Sequence, residues 1–387
     1  MNGSIRQRGK THTAYWFTID PATGRRVQHS KGGFLTIKAA RSHLNSIIGK
    51  VEDASWRPDR PLTVKQLLEE HWVPAQRARG LRPATLAQYR SVVDHWLLPS
   101  LGGTRVASLT PADVARLVEK LRSTKSAKGR NGLSARSAQL SVGVLKAACA
   151  WAVEAELVGR NPLTGVRRPR PSTRTMTAWS FEEARAFLSA TEDDRLAAGW
   201  ALLLTRGLRR GELAGLRWEA IDLDGSTLRI VATRVVVDGR AIDSEPKTSA
   251  GRRSIPLDDR LVELLRAHRA RQSRERLAAA EAWQGGSLTK AHVFADELGR
   301  PYHPDHFSDR FDRLHRGFDL PRIRLHDTRH TAASLMLASG VPVKVVSELM
   351  GHSSPTIMLS IYAHVLPGMA EEAGAALSES LLGDSPQ

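Results

Sequence analysis

One cysteine, Cys149, stands in 387 residues, so no disulfide can form within the chain and no zinc site can be assembled from paired cysteines. A reducing compartment is its natural setting. Long apolar runs are missing too. Residues 196–204 form the longest, less than half of the roughly 20 residues a membrane span needs. The basic N-terminus with Arg6, Arg8 and Lys10 is not followed by an apolar stretch of signal-peptide length. These absences predict a cytoplasmic protein with no membrane partner. There is no Gly-x-x-x-x-Gly-Lys phosphate loop and no paired-histidine metal motif, so neither a cofactor nor a metal is expected. Lysine is scarce, at 12 of the 57 basic residues. Arginine's planar fork grips phosphate at two points where lysine offers a point charge, although a GC-rich genome produces the same ratio. The acidic residues number 40 and leave a net charge of +17, which points to a polyanion as partner. A hydrophobic share of 41% and a charged share of 25% exclude disorder as the main state. The length allows two or three domains.

The chain reads as a multidomain protein, mainly α with small β elements. Residues 1–55 form a small β-sheet-plus-helix domain. Ala14-Tyr15-Trp16-Phe17-Thr18-Ile19 is a strand, Asp20-Pro21-Ala22-Thr23-Gly24 its turn, and residues 25–30 the partner strand in a three-strand sheet. Thr36 caps a helix carrying Ile37, Ala40, Leu44, Ile47 and Ile48, with Gly49 as its stop. Residues 1–60 hold eleven basic and four acidic side chains, a charge of +7, and nucleic-acid contact accounts for that concentration better than a solvated face does.

Residues 61–165 read as helices only. Thr63 caps the first, Pro83 opens the second, and Thr110-Pro111-Ala112-Asp113 starts the third with a cap, a proline suited to the first turn and an acid at the positive helix end. Residues 125–132 form a basic loop ahead of a long Ala-rich helix over 135–156, in which Cys149 is a small core residue. Pro162, Pro169 and Pro171, interleaved with Arg167, Arg168, Arg170 and Arg174, mark an extended basic linker suited to a phosphate backbone. Residues 175–370 mix helices with a β segment, read as a three-strand meander over 227–237, 241–247 and 253–257 around an Asp238-Gly239 turn. In the tail, 371–387, Ala373, Ala376, Leu377 and Leu381 share a helical face that can pack on a partner subunit.

Three segments carry unusual polar content. Gly207-Leu208-Arg209-Arg210-Gly211-Glu212 follows an apolar helix. His326-Asp327-Thr328-Arg329-His330 opens another, with His326 and Arg329 on one side of it. In Met350-Gly351-His352 the glycine ends a helix in the left-handed conformation, and Ser354-Pro355 opens the next helix, which carries Tyr362. Taken singly, each residue has an ordinary structural explanation: Arg209 as a surface charge, the histidines as hydrogen-bonded core groups, Tyr362 as a half-buried aromatic.

Taken in order, Arg209, Lys247 in Pro246-Lys247-Thr248, His326, Arg329, His352 and Tyr362 resemble the catalytic residues of the tyrosine recombinase family, the phage-type integrases. The resemblance spans the chain. It implies an arm-type DNA-binding domain over 1–55, a helical, SAM-like core-binding domain over 61–165, a mixed α+β catalytic domain over 175–370, and an intersubunit tail over 371–387. Arg209 is then the first catalytic arginine, with Arg210 as the neighbour that competes for the assignment. Lys247 is the β-turn lysine, with Arg252 and Arg253 as its alternatives, and Tyr362 is the nucleophile. Arg206 stands where many relatives have a small or hydroxylated residue. The implied function is site-specific recombination of a prophage or similar element by a homotetramer on core and arm attachment sites of double-stranded DNA, in the bacterial cytoplasm, with excisionase and DNA-bending proteins as accessory partners. A helical DNA-binding regulator and a topoisomerase using the same chemistry are the competing readings.

Overall fold

The computed structural model describes residues 3–19, 24–52, 62–124, 132–169, 177–246 and 251–351. It divides into two compact units, Met1–Ser172 and Thr173–Gln387. Among the described residues no helix is long and apolar enough to cross a membrane, and no group of three or more His, Cys, Asp or Glu side chains is placed to hold a metal ion. The basic loop over 125–131, the turn at 20–23 and the linker positions 170–176 lie outside the described residues.

At the N-terminus β1 (Ser4–Arg8), β2 (Thr11–Ile19) and β3 (Arg26–Phe34) form an antiparallel sheet in that order, followed by α1 (Ile37–Glu52). The middle strand buries Ala14 and Trp16 against Leu44 of α1, with Ile5, Phe34, Ile47 and Ile48 packed around them. Thr36 starts the helix as expected, its hydroxyl accepting from Ala39 N at 3.2 Å. Gly49 does not stop it. Its φ is not positive, and a helical glycine only weakens a helix, by about 1 kcal/mol relative to alanine.

The helical part runs through α2 (Val64–Gln66), a π-helical stretch (Leu67–Trp72) and α3 (Val73–Ala78). It continues with α4 (Pro83–Val92), a second π-helical stretch (Val93–Leu97), α5 (Leu98–Leu101), α6 (Pro111–Ser123) and α7 (Ala135–Glu154). Thr63 and Thr110 each close a reciprocal capping box, with Gln66 and Asp113. Leu67, Leu68, Leu97, Val106, Leu145 and Ala148 are wholly buried in one core with Cys149. Each such leucine contributes about 1.5–3 kcal/mol by leaving water.

The second unit opens with α8 (Phe181–Ala190), α9 (Ala197–Arg206) and the short α10 (Arg210–Ala214). Its strands are β4 (Ile221–Asp222), β5 (Thr227–Ile230), β6 (Thr233–Val237), β7 (Arg240–Ser244) and β8 (Arg253–Pro256). The helices α11 (Asp259–Ala279), α12 (Pro304–His315), α13 (Asp327–Ala338) and α14 (Val343–Met350) follow. The expected single meander is two separate sheets. The long segment breaks after Ile230: among the described residues β5 joins β4 and β8, while β6 pairs with β7. Asp238 and Gly239 both have positive φ, 48° and 75°, the geometry of a tight two-residue hairpin turn. One carboxylate ties this hairpin to the rest of the unit. Asp243 accepts from Arg217 at 2.6 Å, Arg234 at 2.7 Å and His292 at 3.1 Å.

Buried almost all round, α9 lies in the centre of the unit, its Trp200 in aromatic contact with Phe187 and Phe311, which in turn meet Trp179. A smaller cluster of Ala332, Ala333, Leu337, Val346 and Met350 joins α13 to α14.

Candidate active site

The apolar helix α9 ends at Gly207, whose φ of 62° places it in the left-handed region. The chain turns there and α10 starts at Arg209, whose backbone N–H donates to Glu212 Oε2 at 2.9 Å while its Nη1 donates to Oε1 at 2.7 Å. The two adjacent arginines diverge. Arg210 reaches Asp305 at 2.6 Å and Ser308 at 3.1 Å on α12, whereas Arg209 donates from Nη2 to the Gly351 carbonyl at 2.9 Å. Arg206, the departure from the family pattern, bonds Pro256 O at 2.9 Å and Asp258 at 2.5 Å, bracing the start of α11.

Just ahead of α13, Arg324 clamps Asp327 through its backbone N–H, Nε and Nη2, which fixes the first turn. His326 flanks that turn and Arg329 follows three residues on. The Arg329 guanidinium is buried and donates to Gly207 O at 2.6 Å and to Met350 O, so it bonds the ends of two helices. Burial and then the charge of Arg329 hold His326 below the ordinary imidazole range, with smaller contributions from Arg324 and Arg209. His326 is therefore neutral at neutral pH and able to accept a proton. His330 stands edge-on to it at 5.6 Å and is lowered in the same way, first by burial and then by His326.

As expected, α14 ends at Gly351 in the left-handed conformation, with φ 62° and ψ 48°. Its last carbonyls are each taken by a different arginine: Leu349 O by Arg253 Nε at 2.6 Å, Met350 O by Arg329, and Gly351 O by Arg209 at 2.9 Å. Carbonyls left over at a helix C-terminus attract cations, and here the cations come from β8, α13 and the start of α10. Glu212, 4% exposed, also receives Arg253 bidentately, at 3.0 and 2.9 Å, on the same two oxygens that Arg209 bonds. Burial raises the Glu212 pKa, but the bonds and charges of Arg253 and Arg209 outweigh it and hold the carboxyl below its ordinary value.

Of the six residues singled out in the sequence, Arg209 and Arg329 meet at this helix end, and His326 stands at the start of α13, where the charges of both act on it. Lys247, His352 and Tyr362 lie outside the described residues, as does the tail 371–387. The sequence reading missed Glu212 and Arg253 as parts of the same array. The signal for the first was the three-residue spacing from Arg209; Arg253 was read only as an alternative to Lys247, and Arg252 pairs on the surface with Glu245 at 2.8 Å.

Two guanidinium groups thus meet at one helix end, with a neutral imidazole at the start of α13, on a fold of sheet-plus-helix, helical and mixed units. Comparison with known proteins specifies the class. Residues 179–368 match the phage integrase family, residues 4–51 an arm DNA-binding domain, and residues 63–122 the N-terminal SAM-like domain of phage integrases. A tyrosine recombinase XerC-like protein of Caldanaerobacter subterraneus subsp. tengcongensis is 29% identical over 77% of this chain and 78% of its own length. The ICEBs1 integrase of Bacillus subtilis is 27% identical over 65% and 67%. Among solved structures, the Tn1549 transposon integrase in complex with transposon right end DNA superposes with a TM-score of 0.67 at 21% identity, over 82% of this chain and all of that one. The lambda integrase tetramer bound to a Holliday junction does so at 0.53 and 19%, over 91% and 96%. The chain belongs to the phage integrase family of tyrosine recombinases. It is an enzyme of site-specific DNA recombination of the kind that serves mobile elements.

Proposed function

We propose that Tyr362 is the nucleophile and that Arg209, Lys247, His326, Arg329 and His352 serve it. The observation that carries this reading is the meeting of Arg209 and Arg329 at the Met350 and Gly351 carbonyls, one residue before His352. Two guanidinium groups at the scissile phosphate neutralise the charge that repels a nucleophile and stabilise the crowded transition state. Tyr362, with an ordinary phenol pKa of about 10, gives its proton to neutral His326 as its oxygen attacks phosphorus. The bond to the 5′ oxygen breaks, and Lys247 protonates that leaving group. His352 donates to a phosphate oxygen. The 3′-phosphotyrosyl bond conserves the energy of the broken one, so the reverse attack by a 5′ hydroxyl rejoins a strand without ATP.

In this reading residues 1–55 bind arm sites, 61–165 bind the core site, 175–370 carry the catalysis, and the tail 371–387 contacts a neighbouring subunit. Strand exchange proceeds in a homotetramer in the bacterial cytoplasm, assisted by an excisionase and DNA-bending proteins. The matches to arm and SAM-like domains, and the tetrameric lambda integrase, support this arrangement.

The test is a nicked suicide duplex from the attachment junction of the element that encodes the chain. Wild type is expected to give a covalent protein–DNA band on a denaturing gel and Tyr362→Phe none, with DNA binding kept. A band of equal strength from the phenylalanine variant would remove Tyr362 from the mechanism.

A further inference from the structure

Arg253 occupies a position from which it cannot serve as a phosphate ligand. Its side chain is 7% exposed, and both terminal nitrogens face the Glu212 carboxylate at 3.0 and 2.9 Å. Nη1 also donates to Gly251 O at 3.2 Å, and Nε donates to Leu349 O at 2.6 Å. One planar group therefore ties together three parts of the unit: the residue that holds Arg209, the backbone four residues beyond Lys247, and the last turn of α14 ahead of His352.

We infer that Arg253 is a positioning residue for strand cleavage, fixing Arg209 and the end of α14 in a single frame. The geometry explains why the fork is required. Glu212 accepts four hydrogen bonds, two from Arg209 and two from Arg253. With Arg253 removed, the buried carboxylate retains Arg209 as its remaining cation, and the pair is free to turn as a unit. Leu349 O at the same time loses this donor, so among the described residues the carbonyl end of α14 keeps only the bonds from Arg329 and Arg209. Both of these are the guanidinium groups the phosphate draws on when DNA binds. Arg253 is the tie that does not compete with substrate. A lysine keeps the charge but cannot bond Glu212 bidentately and Leu349 O at once.

This inference rests on the recombinase reading, and its test separates the two. Full-length wild type, Arg253→Lys and Arg253→Met are compared on the nicked suicide duplex, at saturating DNA and well below each melting temperature, with DNA affinity measured in parallel. Both variants are expected to bind the duplex within about threefold of wild type. Single-turnover cleavage should fall at least tenfold in Arg253→Met, and Arg253→Lys should recover part of the loss. A merely structural arginine would lower the melting temperature and leave the rate of the folded, DNA-saturated protein unchanged. That result, in either variant that folds, overturns the role of Arg253, as does a loss that disappears when DNA is saturating. A wild type that forms no adduct would overturn the recombinase reading and this inference with it.

Discussion

Gly207 and Met350 contend for one space: a Cβ built on Gly207 would lie 2.4 Å from Met350 Cε and 2.6 Å from its Sδ. Met350 is wholly buried and cannot swing into solvent, and the glycine's φ of 62° is itself unfavourable for a side chain. Gly207→Ala is therefore expected to destabilise the catalytic unit by about 1–3 kcal/mol, and to slow cleavage by displacing the end of α14. Thermal melting and single-turnover cleavage check both. Adding Met350→Ala should relieve the contact and leave the backbone strain; an unperturbed melting temperature in the single variant would mean that the two helix ends are not coupled in this way.

His326 carries a prediction about pH. Its pKa is lowered by burial and by the charge of Arg329, so the neutral ring persists to more acid pH than an ordinary histidine, whose value is about 6.5. The acid limb of the cleavage rate should accordingly lie below pH 6.5. NMR titration of the labelled ring in wild type and Arg329→Gln tests the cause: removing the guanidinium should move the midpoint up. A midpoint that stays in place would remove Arg329 as a cause of the shift.

Asp243 links stability to pH with a definite sign. Burial raises its pKa, but the bonds from His292 and Arg217 and the charge of Arg234 overcome this and leave it depressed. Its contribution is then complete above the unfolded-state value of about 4 and fades as pH falls toward the native one. Asp243→Asn should lose about 1 kcal/mol at neutral pH, a modest figure because the carboxylate keeps some contact with water. The gap in melting temperature between the two proteins should narrow below about pH 4. A gap that widens in acid would contradict the depressed pKa.

Deleting residues 1–55 should spare cleavage at the core site and weaken retention of DNA carrying arm sequences, measured by gel shift. The +7 charge of residues 1–60 also makes the full-length protein the more salt-sensitive binder. Equal retention of arm DNA by the truncated chain would reassign the sheet domain.

What could be read in advance was what is local in the chain. The caps at Thr63 and Thr110, the proline at the head of α4 and the left-handed end of α14 each depend on side chains within four residues of one another. The hairpin turn at Asp238-Gly239 was legible for the same reason. The partner of each strand was not, because alternation along 227–237 is the same whether β5 and β6 share a sheet or part company after Ile230. The site divides along this line. Resemblance of their order to that of the tyrosine recombinases brought out Arg209, His326 and Arg329, yet Arg329 ends on carbonyls 122 and 21 residues away, and Arg253 reaches across 96 residues to Leu349. Contacts between a guanidinium and a distant helix end leave no periodic trace in sequence.

Cys149 has a practical consequence for probing the recombinase in solution. It is wholly buried, and burial pushes its thiol up to about 12, so at neutral pH it offers neither thiolate nor access to an alkylating reagent. A cysteine introduced at an exposed position of either unit would react alone, with the native residue left in place. Fluorophores or cross-linkers can thus be directed to one chosen point on a chain that, toward such reagents, behaves as though it contained no sulfhydryl.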